Sequence, residues 1–396
     1  MAFRLAAEFS GQKDGIPVFF PYREWICHER EVRTGLYVKR ILLQNYRNYE
    51  SLNLDLTRNV NILCGQNAQG KTNLLEAIYF CATGRSHRTA YDRECIRAGE
   101  EEALIKILYE KHRDDTIEIH LRKNGRKSVA VNGFPVKKID DLFGCFHVVV
   151  FSPEDLSLIK SGPARRRKFM DIEICQLDAV YLHNLQQYHK VLKQRNQLLK
   201  DLYRNPSQRD SVFAWDAQLA EYGAKIAKRR SQFLQTLDSY TREIHQQLSH
   251  GTEQLALSYE QDGEADSQSL LDRLTRGLQR DIRQGSTQIG PHRDDIRIAI
   301  NGTDVRVFGS QGQQRTAALS MKLAELNMVK NEIGYPPVLL LDDVMSELDS
   351  ERQLHLVRYI EENQTILTCT GIEDSLKRMP AGTIYRVEQG HVRKEI

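Results

Sequence analysis

Gly65-Gln66-Asn67-Ala68-Gln69-Gly70-Lys71-Thr72 fits the pattern G-x-x-x-x-G-K-[ST]. Glycines let such a loop close tightly around phosphates. Successive N–H groups at the start of the following helix then face the anion. Lys71 would neutralise phosphate charge, and Thr72 would offer its hydroxyl to Mg²⁺. Eight residues can match by chance, so the flanks decide. Val60-Asn61-Ile62-Leu63-Cys64 reads as a short buried strand, and Leu74 to Thr83 reads as a helix. Strand, phosphate loop and helix together predict an α/β nucleotide-binding fold that takes ATP and Mg²⁺ at Gly65 to Asn73.

Metal binding calls for a second, acidic element. Val338-Leu339-Leu340-Leu341-Asp342-Asp343 is an apolar strand ending in two carboxylates. Asp342 is placed to hold Mg²⁺ through water, and Asp343 to polarise the attacking water. Between loop and strand lies Ser310-Gln311-Gly312-Gln313-Gln314-Arg315, a polar loop directly before a helix predicted from about Thr316 to Lys330. It has the form of an ABC signature loop, in which Ser310, Gly312, Gln313 and the helix N-terminus meet a γ-phosphate. Ser346-Glu347-Leu348-Asp349 is similar to an ABC D-loop. In ABC ATPases the signature of one protomer completes the site of another, so this order implies an ATP-dependent homodimer.

The chain has 396 residues, which suits two or three domains or one large domain with insertions. With 40% hydrophobic and 28% charged residues it is a globular composition, not a disordered or collagen-like one. The net charge of +3 is too small to mark a nucleic-acid binder by itself. Clusters such as Arg165, Arg166, Arg167 and Lys168, or Arg85 and Arg88, would have to carry any phosphate contacts. The seven cysteines form no C-x-x-C pair, which speaks against zinc and redox motifs and for reduced thiols in the cytoplasm. No apolar run approaches the ~20 residues that cross a bilayer, so no membrane partner is expected.

Along the chain, Tyr37–Leu43 and residues 103–151 are strand-like, with hairpin signals at Asn124-Gly125 and Asn132-Gly133. From about Arg165 to His250 the period is helical, in two amphipathic arms around Asn205-Pro206-Ser207. The apolar series are expected to be interrupted at Arg195 and at Arg229 and Arg230.

Several segments resemble the RecF family of bacterial recombination mediators. They are Leu43–Tyr49, Asn67–Ile78, Phe151–Leu156, Gly162–Asp171 and Gly290–Asp295. The resemblance covers about residues 36–375. It implies an SMC-like ABC head with a helical second lobe: ATPase lobe 36–164, helical lobe 165–285, ATPase lobe again 286–396. It also implies ATP-dependent binding to gapped DNA, slow hydrolysis, SOS induction, and RecR and RecO as partners. Two departures are Asp343, where many ABC proteins have Glu, and Thr residues around Ile366–Thr370 in place of a sensing His. A transporter subunit fits the intervening segments poorly. Long-coil SMC, Rad50 or RecN proteins need longer heptad arms, and a non-ABC phosphotransferase leaves the signature loop unexplained. Residues 1–35 have no family counterpart and no periodicity. They are expected to be a dispensable tail, with Leu36 as the true start.

Overall fold

The computed structural model describes residues 35–202, 206–370 and 382–395. The expectation for the N-terminal tail therefore lies outside the described residues, apart from Gly35. Three sheets organise the rest. The first is antiparallel, in the order β2-β1-β4-β5-β6-β7. Its strands are β1 (Tyr37–Tyr46), β2 (Tyr49–Asp55), β4 (Glu102–Glu110), β5 (Asp114–Arg122), β6 (Ser128–Val131) and β7 (Phe134–Pro135). Alternation along β1 and β4 sends Ile41, Leu43, Ile105 and Ile107 inward and charged residues outward. Asn132 and Gly133 both have positive φ and turn β6 into β7, as their hairpin signal predicts.

The second sheet has the order β15-β14-β3-β13-β12-β8 and carries the phosphate loop. It comprises β3 (Val60–Cys64), β8 (Val148–Phe151), β12 (Val338–Asp342), β13 (Thr365–Cys369), β14 (Gly382–Glu388) and β15 (His391–Lys394). The strands β8, β12, β13, β3 and β14 run parallel, and β15 closes the edge antiparallel. Strands buried on both faces read as continuous apolar runs, and Val338–Leu341 is buried throughout. Leu63, Leu340 and Ile366 face the core shared with the first sheet and α1 (Lys71–Thr83). Leu339, Leu341 and Leu367 face the helices on the other side.

Those helices are α2 (Leu156–Lys160), α3 (Pro163–Leu177), α4 (Ala179–Leu202), α5 (Val212–Leu248), α6 (Ser267–Gln284), α7 (Val305–Phe308), α8 (Gln311–Ile333) and α9 (Ser350–Glu362). A small antiparallel sheet, β11-β10-β9, joins them through β9 (Leu255–Glu260), β10 (Asp295–Ile300) and β11 (Thr303–Asp304). No helix of the described residues is long and apolar enough to cross a membrane.

Two sequence expectations need correction. The helices at the two loops begin earlier than read, at Lys71 and Gln311, because loop residues themselves supply the caps. The arginines do not interrupt the helical arms. Arg195 lies wholly buried within α4, and α5 runs unbroken through Arg229 and Arg230 for 37 residues.

Candidate functional site

The phosphate loop leaves β3 at Gly65 and enters α1 at Lys71. Gly65 has no room for a side chain: an added Cβ would lie 2.3 Å from the Val387 carbonyl oxygen on β14. Gly70 caps α1 at φ 117°, a conformation that favours glycine. Gln66, Asn67 and Ala68 form the exposed crest.

Two neighbouring turns hold the loop from outside. Asn48, in the β1–β2 turn, donates from Nδ2 to the Gln69 carbonyl at 2.7 Å and accepts from Asn73 Nδ2 at 2.8 Å. The Tyr49 hydroxyl donates to the Gly70 carbonyl at 3.0 Å. In the β14–β15 turn, Gln389 N donates to Gln69 Oε1 at 2.6 Å, and Gly390 N to the Gln69 carbonyl at 3.2 Å. Sequence reading missed these roles. Asn48 and Tyr49 entered only through a resemblance, and Gln389-Gly390, a tight turn with two positive φ angles, passed unread.

Lys71 is buried, and its ammonium donates to the Gly65 and Gln66 carbonyls at 2.5 and 2.8 Å. Burial holds its pKa below the ordinary lysine value, opposed by the Asp343 and Asp342 carboxylates. The acidic strand arrives from the same sheet. Register pairs Asp342 with Thr368 across β12 and β13. Asp342 Oδ1 accepts from the hydroxyls of Thr72 at 2.8 Å and Thr368 at 2.9 Å. The Thr368 hydroxyl in turn accepts from Asp343 N at 2.9 Å. Thus Thr72, Asp342, Thr368 and Asp343 form one continuous hydrogen-bonded chain. The Thr72 hydroxyl and the Asp342 carboxylate are hard oxygen donors of the kind that Mg²⁺ takes.

Asp343 has φ 53°, and the Ser346 hydroxyl donates to its carbonyl at 2.8 Å. This tight turn sets the carboxylate at the end of the strand. Ser310 caps the 23-residue α8: its hydroxyl accepts from Gln313 N at 3.2 Å, while Gln313 Oε1 accepts from Ser310 N at 2.9 Å. Ser310 and Gly312 are exposed, and Gln313 is half-buried.

The basic run on α3 divides sharply. Arg166 is 3% exposed, forks onto Asp295 at 2.7 Å for both bonds, and also reaches the Leu158 and Ser161 carbonyls. It is committed internally, which removes it from the expected phosphate contacts. Arg165 pairs with Glu154 at 2.8 Å, Arg167 donates to the Asp294 carbonyl, and Lys168 is exposed. Replacing Arg166 with Ala is expected to lower unfolding stability by about 3 kcal/mol, because Asp295 loses its counter-charge; urea unfolding would show it. Arg165→Ala, a half-exposed pair, should cost under about 1 kcal/mol.

The segment Gly290–Asp295 is a packing hub. The Tyr188 hydroxyl meets His292 Nδ1 at 2.6 Å, and the Arg230 guanidinium donates to the Pro291 carbonyl at 2.6 Å. His292 Nε2 lies 3.0 Å from the Thr287 carbonyl, so both ring nitrogens are engaged within the fold.

Residues 37–391 match the family model described as RecF/RecN/SMC N terminal domain. A protein of Agathobacter rectalis named DNA replication and repair protein RecF is 48% identical over 357 residues, covering 90% of this chain and 98% of that one. A Clostridium botulinum protein of the same name is 44% identical over 365 residues, covering 91% and 100%. A solved structure described as the recombination mediator protein RecF-ATP in the RecFOR pathway superposes with a TM-score of 0.88 at 38% identity, covering 93% and 100%. An Smc head domain derived from Pyrococcus furiosus, at 16% identity and a TM-score of 0.53, shares the fold. Family model, relatives of full length and the SMC-type head agree: the chain belongs to the RecF family of ABC-type ATPases.

Proposed function

We propose that this chain is an ATP-dependent DNA-binding protein of recombinational repair and replication restart. It binds DNA at single-strand gaps as an ATP-bound dimer, helps to load the recombinase, supports SOS induction, and hydrolyses ATP slowly for release. The observation that carries this reading is the hydrogen-bonded chain from Thr72 through Asp342 and Thr368 to Asp343. It joins the phosphate loop to the acidic strand, as an assembled ATPase site requires. Lys71 and the loop N–H groups would bind the phosphates, Thr72 and Asp342 would hold Mg²⁺, and Asp343 would orient the attacking water.

The ATPase lobe is taken as residues 36–164 with 286–396, and the helical lobe as 165–285. Ser310 and Gly312, exposed at the start of α8, support action on the nucleotide of a second copy. RecO and RecR are the proposed partners, since a structural relative at 38% identity is described within the RecFOR pathway. The cytoplasm is the proposed location.

The deciding experiment is binding to gapped duplex DNA with and without ATP, beside sedimentation of the protein. Wild type should bind tightly and dimerise only with ATP. Ser310→Arg puts bulk and positive charge at the helix N-terminus, so it should remain monomeric while still binding ATP. An unchanged dimer fraction in that variant would sink the dimer reading, and equal DNA affinity with and without ATP would sink the switch.

A further inference from the structure

A cavity of about 740 Å³ opens between the end of α1 with its following loop and the faces of α3 and α4. Its size falls in the range of small-ligand sites. Its walls hold five cations. Two are neutralised in place, Lys127 by Asp92 at 2.7 Å and Arg230 by Asp171 at 2.8 Å. The other three are Arg85 from the loop, and Arg167 and Lys168 from α3. Among the described residues none of these three has a carboxylate at ion-pair distance, although Arg167 does reach the Asp294 carbonyl oxygen.

Crowding of like charge is evident at Lys168. Partial burial holds its ammonium below the ordinary lysine value, and the neighbouring Arg165 and Arg85 push in the same direction. Arg167 is likewise lowered by burial, and then by Arg230. Such a cluster disfavours a metal cation and a purely apolar ligand alike. A multiply charged anion relieves it. The same cavity is also lined by Tyr79, Phe143, His189 and His292, side chains of the kind that pack against a planar base beside the anion.

We propose that this cavity is a second nucleotide site, distinct from the phosphate loop, which takes a nucleoside phosphate: Arg85, Arg167 and Lys168 hold the phosphate, and the aromatic lining residues pack against the base. The ligand could be a free nucleotide or the phosphorylated terminal nucleotide of a DNA strand; the chemistry is shared. The inference deepens the DNA reading above, because it gives Arg167 and Lys168 a defined ligand.

The test uses the full chain with three fluorescently reported ligands: thymidine 5′-monophosphate, a thymidine tetranucleotide with a 5′-phosphate, and the same tetranucleotide with a 5′-hydroxyl. Wild type should bind at least one phosphorylated ligand at least tenfold more tightly than the 5′-hydroxyl tetranucleotide. Lys168→Glu, a change at an exposed side chain with no ion pair among the described residues, should abolish that preference while ATP binding at the phosphate loop is unchanged. Arg85→Glu should do the same from the opposite wall. Equal binding of the monophosphate and the phosphorylated tetranucleotide assigns a free nucleotide, and binding of the tetranucleotide alone assigns a strand end. No preference for phosphate, or a preference that survives both substitutions, overturns the proposal. Binding to gapped duplex is measured in parallel. If gapped duplex binds with ATP and the phosphorylated ligands do not, only the cavity proposal falls; if gapped duplex fails as well, the DNA reading falls with it.

Discussion

Arg195→Met is expected to cost about 3–5 kcal/mol of stability, the usual consequence of stripping the cation from a buried ion network. Arg195 has no solvent-exposed surface. It donates from Nε to Asp216 Oδ1 at 2.5 Å, and from one terminal nitrogen to Asp281 Oδ2 and the Thr287 hydroxyl, each at 2.7 Å. Asp216 sits on α5 and Asp281 on α6, so one guanidinium ties three helices. Methionine fills much of the volume but leaves two buried carboxylates unmatched. The deficit should also depend on pH. Burial already raises Asp216 above the ordinary carboxylate value, with Arg195 opposing it. Without Arg195 the rise grows. A raised acid gives stability at low pH that is lost as pH climbs through its folded pKa. The variant should therefore lag wild type more at pH 8 than at pH 5. Urea unfolding at both values checks this, and a loss below about 1 kcal/mol at pH 8 would show that water reaches the network.

The same residue explains a limit of sequence reading. Tyr181, Tyr188, Arg195 and Leu202 follow one another at intervals of seven, so the periodicity itself placed Arg195 on the buried face. The charge was read as a break because its partners are remote in the chain, Asp216 by 21 residues and Asp281 by 86. The phosphate loop, acidic strand and signature cap were legible for the opposite reason. Each is a local pattern whose chemistry sits within a few residues. What held the loop in place was not local: Asn48 and Gln389 reach Gln69 from turns 21 and 320 residues away. Arg166 shows the converse error. A run of four basic side chains looks alike in sequence, but a helix turns each residue by about 100°, and that rotation buries Arg166 while Lys168 stays exposed.

Lys71→Ala is expected to weaken ATP binding on the order of 100-fold, equivalent to about 2.7 kcal/mol. Charge-assisted contacts to phosphate would supply this, and alanine supplies none. A second effect adds to the first. The Lys71 ammonium also pins the Gly65 and Gln66 carbonyls, so the loop loses an internal brace as well as a cation. Asp343→Asn makes the contrast. Asp343 adopts φ 53°, a left-handed conformation that asparagine tolerates better than most residues, so the turn should survive. The amide keeps size and polarity but cannot polarise water as a carboxylate does. This variant should bind ATP with near wild-type affinity, hydrolyse it at least tenfold more slowly, and accumulate as a dimer on DNA. Equilibrium nucleotide binding beside single-turnover hydrolysis separates the two variants. Wild-type turnover in Asp343→Asn would move the catalytic role to another group, and undiminished affinity in Lys71→Ala would mean that the loop N–H groups alone hold the phosphates.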